Sequence, residues 1–274
     1  MRLSDFAEVN GTRLYYEVAG SGDPIVLIHG NFGDCRHWDD QFEVFANEYK
    51  VIRYDVRGYG KSSVPVEGEA YSHYDDIEAL LEHLGVSKAH IIGWSMGCAI
   101  ATDFVLARPE RSSSLIAVGP WVSGFTSPLA QQLYDGFEEI SSILKESGIK
   151  AALEFIVDRF FLKYLKSARP WSPDVKERMT KIIRDYSFWG FINKDPQLNL
   201  DPPAIQQLDR INLPTLIVTA EYDYEACREM ADILERTIAN AKKADITDAG
   251  HLMPVEKPAE FNKIVLDFIA DVRY

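Results

Sequence analysis

The chain has 274 residues, 46% of them apolar and 12% aromatic, enough for one substantial core and too apolar for a disordered polypeptide. Its 42 acidic and 29 basic residues give a formal net charge of −13, which disfavours nucleic acid and anionic membranes as partners, because both need basic patches. The start, Met1-Arg2-Leu3-Ser4-Asp5-Phe6, carries no apolar signal core, and no run of about 20 apolar residues occurs. Cys35, Cys98 and Cys227 are widely spaced, form no metal-ligand pattern and suit a reducing compartment, so a cytoplasmic monomer or homodimer without metal or cofactor is expected.

In chain order, Phe6 to Glu17 reads as a β-hairpin around Asn10-Gly11, a favoured two-residue turn. Apolar strand runs follow at 25–28, 51–54, 89–93, 115–118, 215–220 and 244–247, alternating with helical patterns. That alternation predicts an α/β protein with a mainly parallel sheet and helices on both faces. The first run ends in His29-Gly30 and opens a glycine-rich loop, Asn31-Phe32-Gly33. Such a loop can donate a backbone N–H to an oxyanion. The Asn31 N–H is the expected donor, with Phe32 N–H the nearest rival, and His29 is expected to brace the loop. After the second run, Asp55, Arg57, Gly58 and Gly60 read as a buried ion pair and turn glycines that brace loops, not as catalytic groups.

The third run leads into Gly93-Trp94-Ser95-Met96-Gly97, followed by the helix-forming Cys98-Ala99-Ile100-Ala101. Gly-x-Ser-x-Gly between a strand and a helix reads as a nucleophile elbow: the flanking glycines allow a sharp turn that exposes the serine oxygen. The same turn aims the first N–H groups of the helix, Met96 N–H among them, at whatever the serine attacks. A serine needs a base beside it. On such an elbow the acid and then the base follow in the chain. Of six histidines only His251 comes after Ser95, in the loop Asp248-Ala249-Gly250-His251. Asp223, just past the strand run 215–220, is the expected acid, with Glu221 and Glu225 as competitors. Asp248 is read as shaping the turn.

From about Trp121 to Leu208 the alternation breaks into helix-like stretches at 128–146, 150–165 and 174–188. This interval holds Trp121, Trp171 and Trp189 together with Phe125, Phe137, Phe160, Phe161, Tyr164, Tyr186 and other aromatic residues. It reads as a helical cap, residues 121–208, inserted into a core made of 1–120 and 209–274. Its aromatic content suggests an apolar pocket roof and a bulky apolar substrate. Trp121 and Phe125 are expected in the substrate pocket because they follow the strand end closely, and Phe32 and Trp94 flank it from the core.

The segments His29-Gly30, Tyr54 to Ser62, Gly93 to Gly97, Asp223, and Gly250-His251 followed by Glu256-Lys257-Pro258 together resemble α/β-hydrolase fold enzymes with a cap domain. The resemblance spans residues 29 to 258. Its nearest general form is that of 3-oxoadipate enol-lactonase-like hydrolases, and the loop from His29 to Trp38 also resembles serine-dependent macrolide esterases. One departure is Cys98, where many relatives carry a second glycine. It is expected to narrow helix–strand packing and leave the triad unaffected. The resemblance implies hydrolysis of a small-molecule ester or lactone by Ser95, His251 and Asp223, through an acyl-serine and an oxyanion hole of Asn31 and Met96. Carbon–carbon bond hydrolysis or perhydrolysis on the same triad, or a slow-turnover receptor, are the alternatives. Serine rather than aspartate at 95 argues against relatives with a carboxylate nucleophile.

Overall fold

The hairpin read around Asn10-Gly11 is formed by β1 (Arg2–Val9) and β2 (Thr12–Ala19), which pair antiparallel with Val9 opposite Thr12. Asn10 and Gly11 have φ of +46° and +68°. Positive φ at both central residues gives a turn whose twist matches its strands. The computed structural model describes residues 2–160 and 171–272. The six apolar runs become β3 (Pro24–Ile28), β4 (Lys50–Tyr54), β5 (Ala89–Trp94), β6 (Ser112–Val118), β7 (Thr215–Tyr222) and β8 (Ala241–Gly250). They join one eight-stranded sheet in the order β1-β2-β4-β3-β5-β6-β7-β8. The β1–β2 and β2–β4 pairings are antiparallel and the others parallel.

The inner strands read as continuous apolar runs because both faces of the sheet are covered. Leu27, Ile92, Val118 and Val218 pack on one face, against Phe42 and Phe45 of α1 (Asp39–Phe45) and Phe261 and Phe268 of a C-terminal helix, Pro258–Asp271. Their neighbours Val26, Ile91, Ala117 and Ile217 point to the other face. There they meet Ile77 and Leu80 of α2 (His73–His83), Phe104 of α3 (Met96–Ala107) and Met230 of the helix Glu225–Thr237. The architecture is therefore an α/β fold with a mostly parallel sheet and helices on both faces.

Between β6 and β7 the chain leaves the sheet and forms α4 (Pro128–Phe155) and α5 (Pro173–Ile183). Each begins with a serine cap followed by proline. Ser127 Oγ accepts the Ala130 N–H and Ser172 Oγ the Val175 N–H, supplying acceptors for amides that have none within the helix. Gly148, at φ +80°, splits α4 into two helical stretches. Phe161 and Tyr164, and the end of the predicted helix 150–165, lie outside the described residues. Among the described residues no helix is long and apolar enough to cross a membrane.

Candidate active site

The carboxyl ends of the parallel strands converge at one edge of the sheet, where open α/β sheets bind ligands. β3 runs into His29-Gly30-Asn31, β5 into Ser95, β6 into Gly119, β7 into Asp223, and β8 into His251. Backbone bonds lock these ends together: Ser95 N–H donates to Val118 O at 2.9 Å and Gly119 N–H to Val218 O at 2.8 Å.

Ser95 stands at φ +56°, ψ −115°, a conformation that costs a non-glycine residue about 1–3 kcal/mol. The flanking glycines make that turn possible by close approach. A Cβ on Gly93 would lie 2.1 Å from Gly97 O, and one on Gly97 would lie 2.3 Å from Ile28 O. Gly30 passes beside the serine, so that a Cβ there would stand 3.5 Å from Ser95 Cβ. Cys98 is buried beneath the elbow, and its Cα would lie 2.7 Å from a Cβ on Gly93.

His251 Nδ1 donates to Asp223 Oδ1 at 2.7 Å, and the same oxygen accepts the Tyr224 N–H at 2.7 Å. Both side chains are buried. Trp94 Nε1 donates to His251 O at 3.0 Å, tying the elbow strand to the histidine loop. Glu256 accepts the Gly250 N–H from behind that loop. Of the competing acids, Glu221 accepts the Asp248 N–H at 2.9 Å and Glu225 begins a helix. Asp248, at φ +52°, shapes the turn.

The α/β-hydrolase fold family model matches residues 23–258. The chain belongs to the α/β-hydrolase fold family. It is 25% identical to 3-oxoadipate enol-lactonase 2 of Acinetobacter baylyi, over 96% of this chain and 95% of that protein. Among solved structures, a hydrolase from Pseudomonas aeruginosa is 27% identical with a TM-score of 0.77, covering 97% of this chain and 98% of that one. Est816, described as an N-acyl homoserine lactone degrading enzyme, is 26% identical with a TM-score of 0.71, covering 96% and 100%.

In this α/β-hydrolase, Ser95 and His251 open on one cavity. Phe32, Trp94 and Asn31 also line it, and its remaining walls are mostly apolar: Leu133, Phe137, Phe160, Met179 and Ile183. Trp121 and Phe125 are not on its wall. Phe125 is buried in the cluster that holds Val122, Ala130 and Ala204, and Trp121 packs edge-on to it at 5.4 Å. Trp121 also packs in a cluster with Tyr224 and Leu133, two residues of the cavity wall, so it and Phe125 stand behind the wall rather than on it, and their expected place in the pocket is corrected. The cavity encloses about 50 Å³ and is narrower than the aromatic content suggests. The rings fill the space against one another, with Phe137 stacked on Phe160 at 5.7 Å and Phe32 edge-on to Phe160 at 5.5 Å.

The bracing groups also differ in part from expectation. His29 accepts the Val56 N–H at Nε2 and bonds Gly30 O through Nδ1, so it ties the β3 loop to the β4 loop; burial lowers its pKa. Arg57 pairs with Asp76 of α2 at 2.6 Å, not with Asp55. Asp55 accepts the N–H groups of Cys35 and Lys61 instead, each at 2.8 Å. Asp223, Cys227 and His251 bring ligand-type atoms within 4.8 Å of one another. Burial pushes the Cys227 thiol well up and His251 Nδ1 is engaged with Asp223, an arrangement that fits a hydrogen-bonded dyad better than a thiolate metal site.

Three further residues beside the site are not among those the sequence motifs point to. Gly119, at φ +48°, lies so close that a Cβ would be 2.8 Å from His251 Cε1. Tyr224 stacks on His251, and His37 lines the cavity beneath Trp94 at 4.9 Å between ring centroids. Burial pushes the His37 pKa down to about 3, so it stays neutral. Adjacency to a strand end or to Asp223 is a usable signal for Gly119 and Tyr224. No such signal exists for His37.

Proposed function

We propose that the chain hydrolyses a carboxylic ester or lactone through Ser95, His251 and Asp223. The observation that carries this reading is the His251–Asp223 hydrogen bond at 2.7 Å beside a cavity that also receives the strained Ser95 turn. Asp223 holds the tautomer in which Nδ1 carries the proton, leaving Nε2 as the base. His251 takes the Ser95 proton as Oγ attacks the carbonyl carbon. The tetrahedral oxyanion is held by the N–H groups of Met96 and Asn31. As a residue of the first turn of α3, Met96 has no intrahelical acceptor for its N–H. The rival donor, Phe32 N–H, is engaged by Asn31 Oδ1 at 2.8 Å, which favours Asn31. Collapse of the intermediate breaks the acyl C–O bond, and His251 returns its proton to the leaving alcohol or alkoxide. Water, deprotonated by His251, then releases the acid from the acyl-serine.

Residues 121–208 serve as the cap in this reading, with Leu133, Phe137 and Phe160 roofing the cavity. A narrow apolar cavity suits a slim acyl chain, since each buried methylene contributes about 0.8 kcal/mol only where it fits. The likeness to a lactonase and to a lactone-degrading enzyme supports carboxylic-ester chemistry. Fluorophosphonate labelling with peptide mapping tests the nucleophile: the adduct is expected on Ser95, and Ser95→Ala should be inactive yet folded. Asp223→Asn should lose most activity while Glu221→Gln stays near wild type. An adduct elsewhere, or an active Ser95→Ala, overturns the reading.

A further inference from the structure

The loop after β4 carries a tyrosine that the chemistry above leaves unused. The Tyr59 hydroxyl donates to Asn31 Oδ1 at 3.0 Å. That oxygen also accepts the Phe32 N–H at 2.8 Å, and Phe32 sits at φ +61°. Two donors on one carboxamide oxygen pin the Asn31 side chain to the peptide that follows it and to a separate loop. They thereby restrict the backbone whose own N–H is assigned above to the oxyanion.

Tyr59 is itself fixed on several sides. Its N–H donates to Val56 O at 2.9 Å, its ring meets His29 edge-on at 5.3 Å, and it stacks on Tyr186 at 5.3 Å. Ser187 Oγ donates to Gly58 O at 2.9 Å, so the segment between β6 and β7 holds this loop from outside. The loop has little slack, because a Cβ on Gly60 would lie 2.2 Å from Asp55 Oδ2. Burial raises the Tyr59 pKa, which keeps the phenol protonated and a donor.

We propose that Tyr59 is a positioning residue that sets the Asn31 N–H for the oxyanion, and that Tyr186 and Ser187 couple the seating of the cap to that donor. The inference rests on the assignment of Asn31 as an oxyanion donor. A displaced donor weakens transition-state stabilisation while leaving substrate binding intact, so it acts on kcat and spares KM.

Tyr59→Phe keeps the ring and its stacking and removes only the hydroxyl. Its kcat on p-nitrophenyl butyrate should fall about three- to tenfold, the size of one neutral hydrogen bond, with KM unchanged. Affinity for n-butylboronic acid, which forms a tetrahedral adduct on serine, should weaken by the same factor. Asn31→Ala keeps the backbone donor but loses the acceptor; it should match Tyr59→Phe, and the double variant should show no further loss. Wild-type kcat in Tyr59→Phe, or additive losses in the double variant, would overturn the proposal. If Ser95 takes the fluorophosphonate while Tyr59→Phe is unaffected, only the positioning role falls. If Ser95 does not react, the oxyanion reading falls with it.

Discussion

The ring of Tyr224 lies against the imidazole of His251, with centroids 3.9 Å apart and planes 21° apart. Asp223 holds Nδ1 of the same imidazole at 2.7 Å, and Gly119 closes on its Cε1 edge. His251 is therefore restrained on a face, at one nitrogen and at an edge. In its proposed role as the base for Ser95, His251 would be set by rigid packing as well as by the Asp223 bond, since pre-organised geometry is a large part of what such a role requires.

Gly119→Ala tests that restraint. The new Cβ would stand 2.8 Å from His251 Cε1 and 3.3 Å from Asp223 Oδ2, at a φ of +48° that disfavours alanine. The imidazole must shift by a few tenths of an ångström or more. Under the proposed role of His251, hydrolytic activity should fall about a hundredfold, as expected for a small displacement of a group that takes part in the chemistry. The thermal midpoint should drop modestly. Wild-type kcat/KM in a folded Gly119→Ala protein would refute the close restraint.

Phe125 and Phe137 should behave differently although both are aromatic residues of the same insert. Phe125 is buried away from the cavity, so Phe125→Ala should destabilise by about 3–5 kcal/mol and leave the acyl-chain preference unchanged. Phe137 is on the cavity wall, so Phe137→Ala should shift preference from p-nitrophenyl butyrate toward longer esters. Chain-length profiles and urea unfolding of both variants distinguish the two roles. A changed profile in Phe125→Ala would contradict its placement.

His73, at the start of α2, gives a pH dependence to stability. Burial, reinforced by Arg57 and His29, pushes its pKa from the ordinary 6.5 down to about 3. Between those values the unfolded chain binds more protons than the folded one, so stability falls as pH drops from 6.5 toward 3. Asp103, pushed up to about 6 by burial, acts in the opposite sense over an overlapping range. His73→Asn removes the histidine contribution alone, up to about 1.4 kcal/mol per pH unit. Urea midpoints measured at neutral and mildly acid pH should therefore separate less in the variant than in the wild type. An unchanged pH slope would show that His73 is not protonated on unfolding.

Several features are legible in the amino-acid order because each has a local cause. Continuous apolar runs mark strands buried on both faces, and Asn10-Gly11 marks a turn that needs positive φ. Gly93 and Gly97 betray an approach too close for a side chain, and chain order singles out His251 and points to Asp223. Other features have causes distant in the chain. Arg57 finds Asp76 rather than Asp55 because the β4 loop faces α2. Phe137 and Phe160 form the cavity wall while Phe125 does not, a choice made by helix direction and phase after β6, which aromatic content does not encode. The Tyr59–Asn31 bond joins residues 28 apart across two loops. Sequence by itself determined the order of elements and the residue types able to do the chemistry, because those follow from backbone sterics and burial period. Tertiary structure decided which of them touch, because contact depends on how separate elements pack.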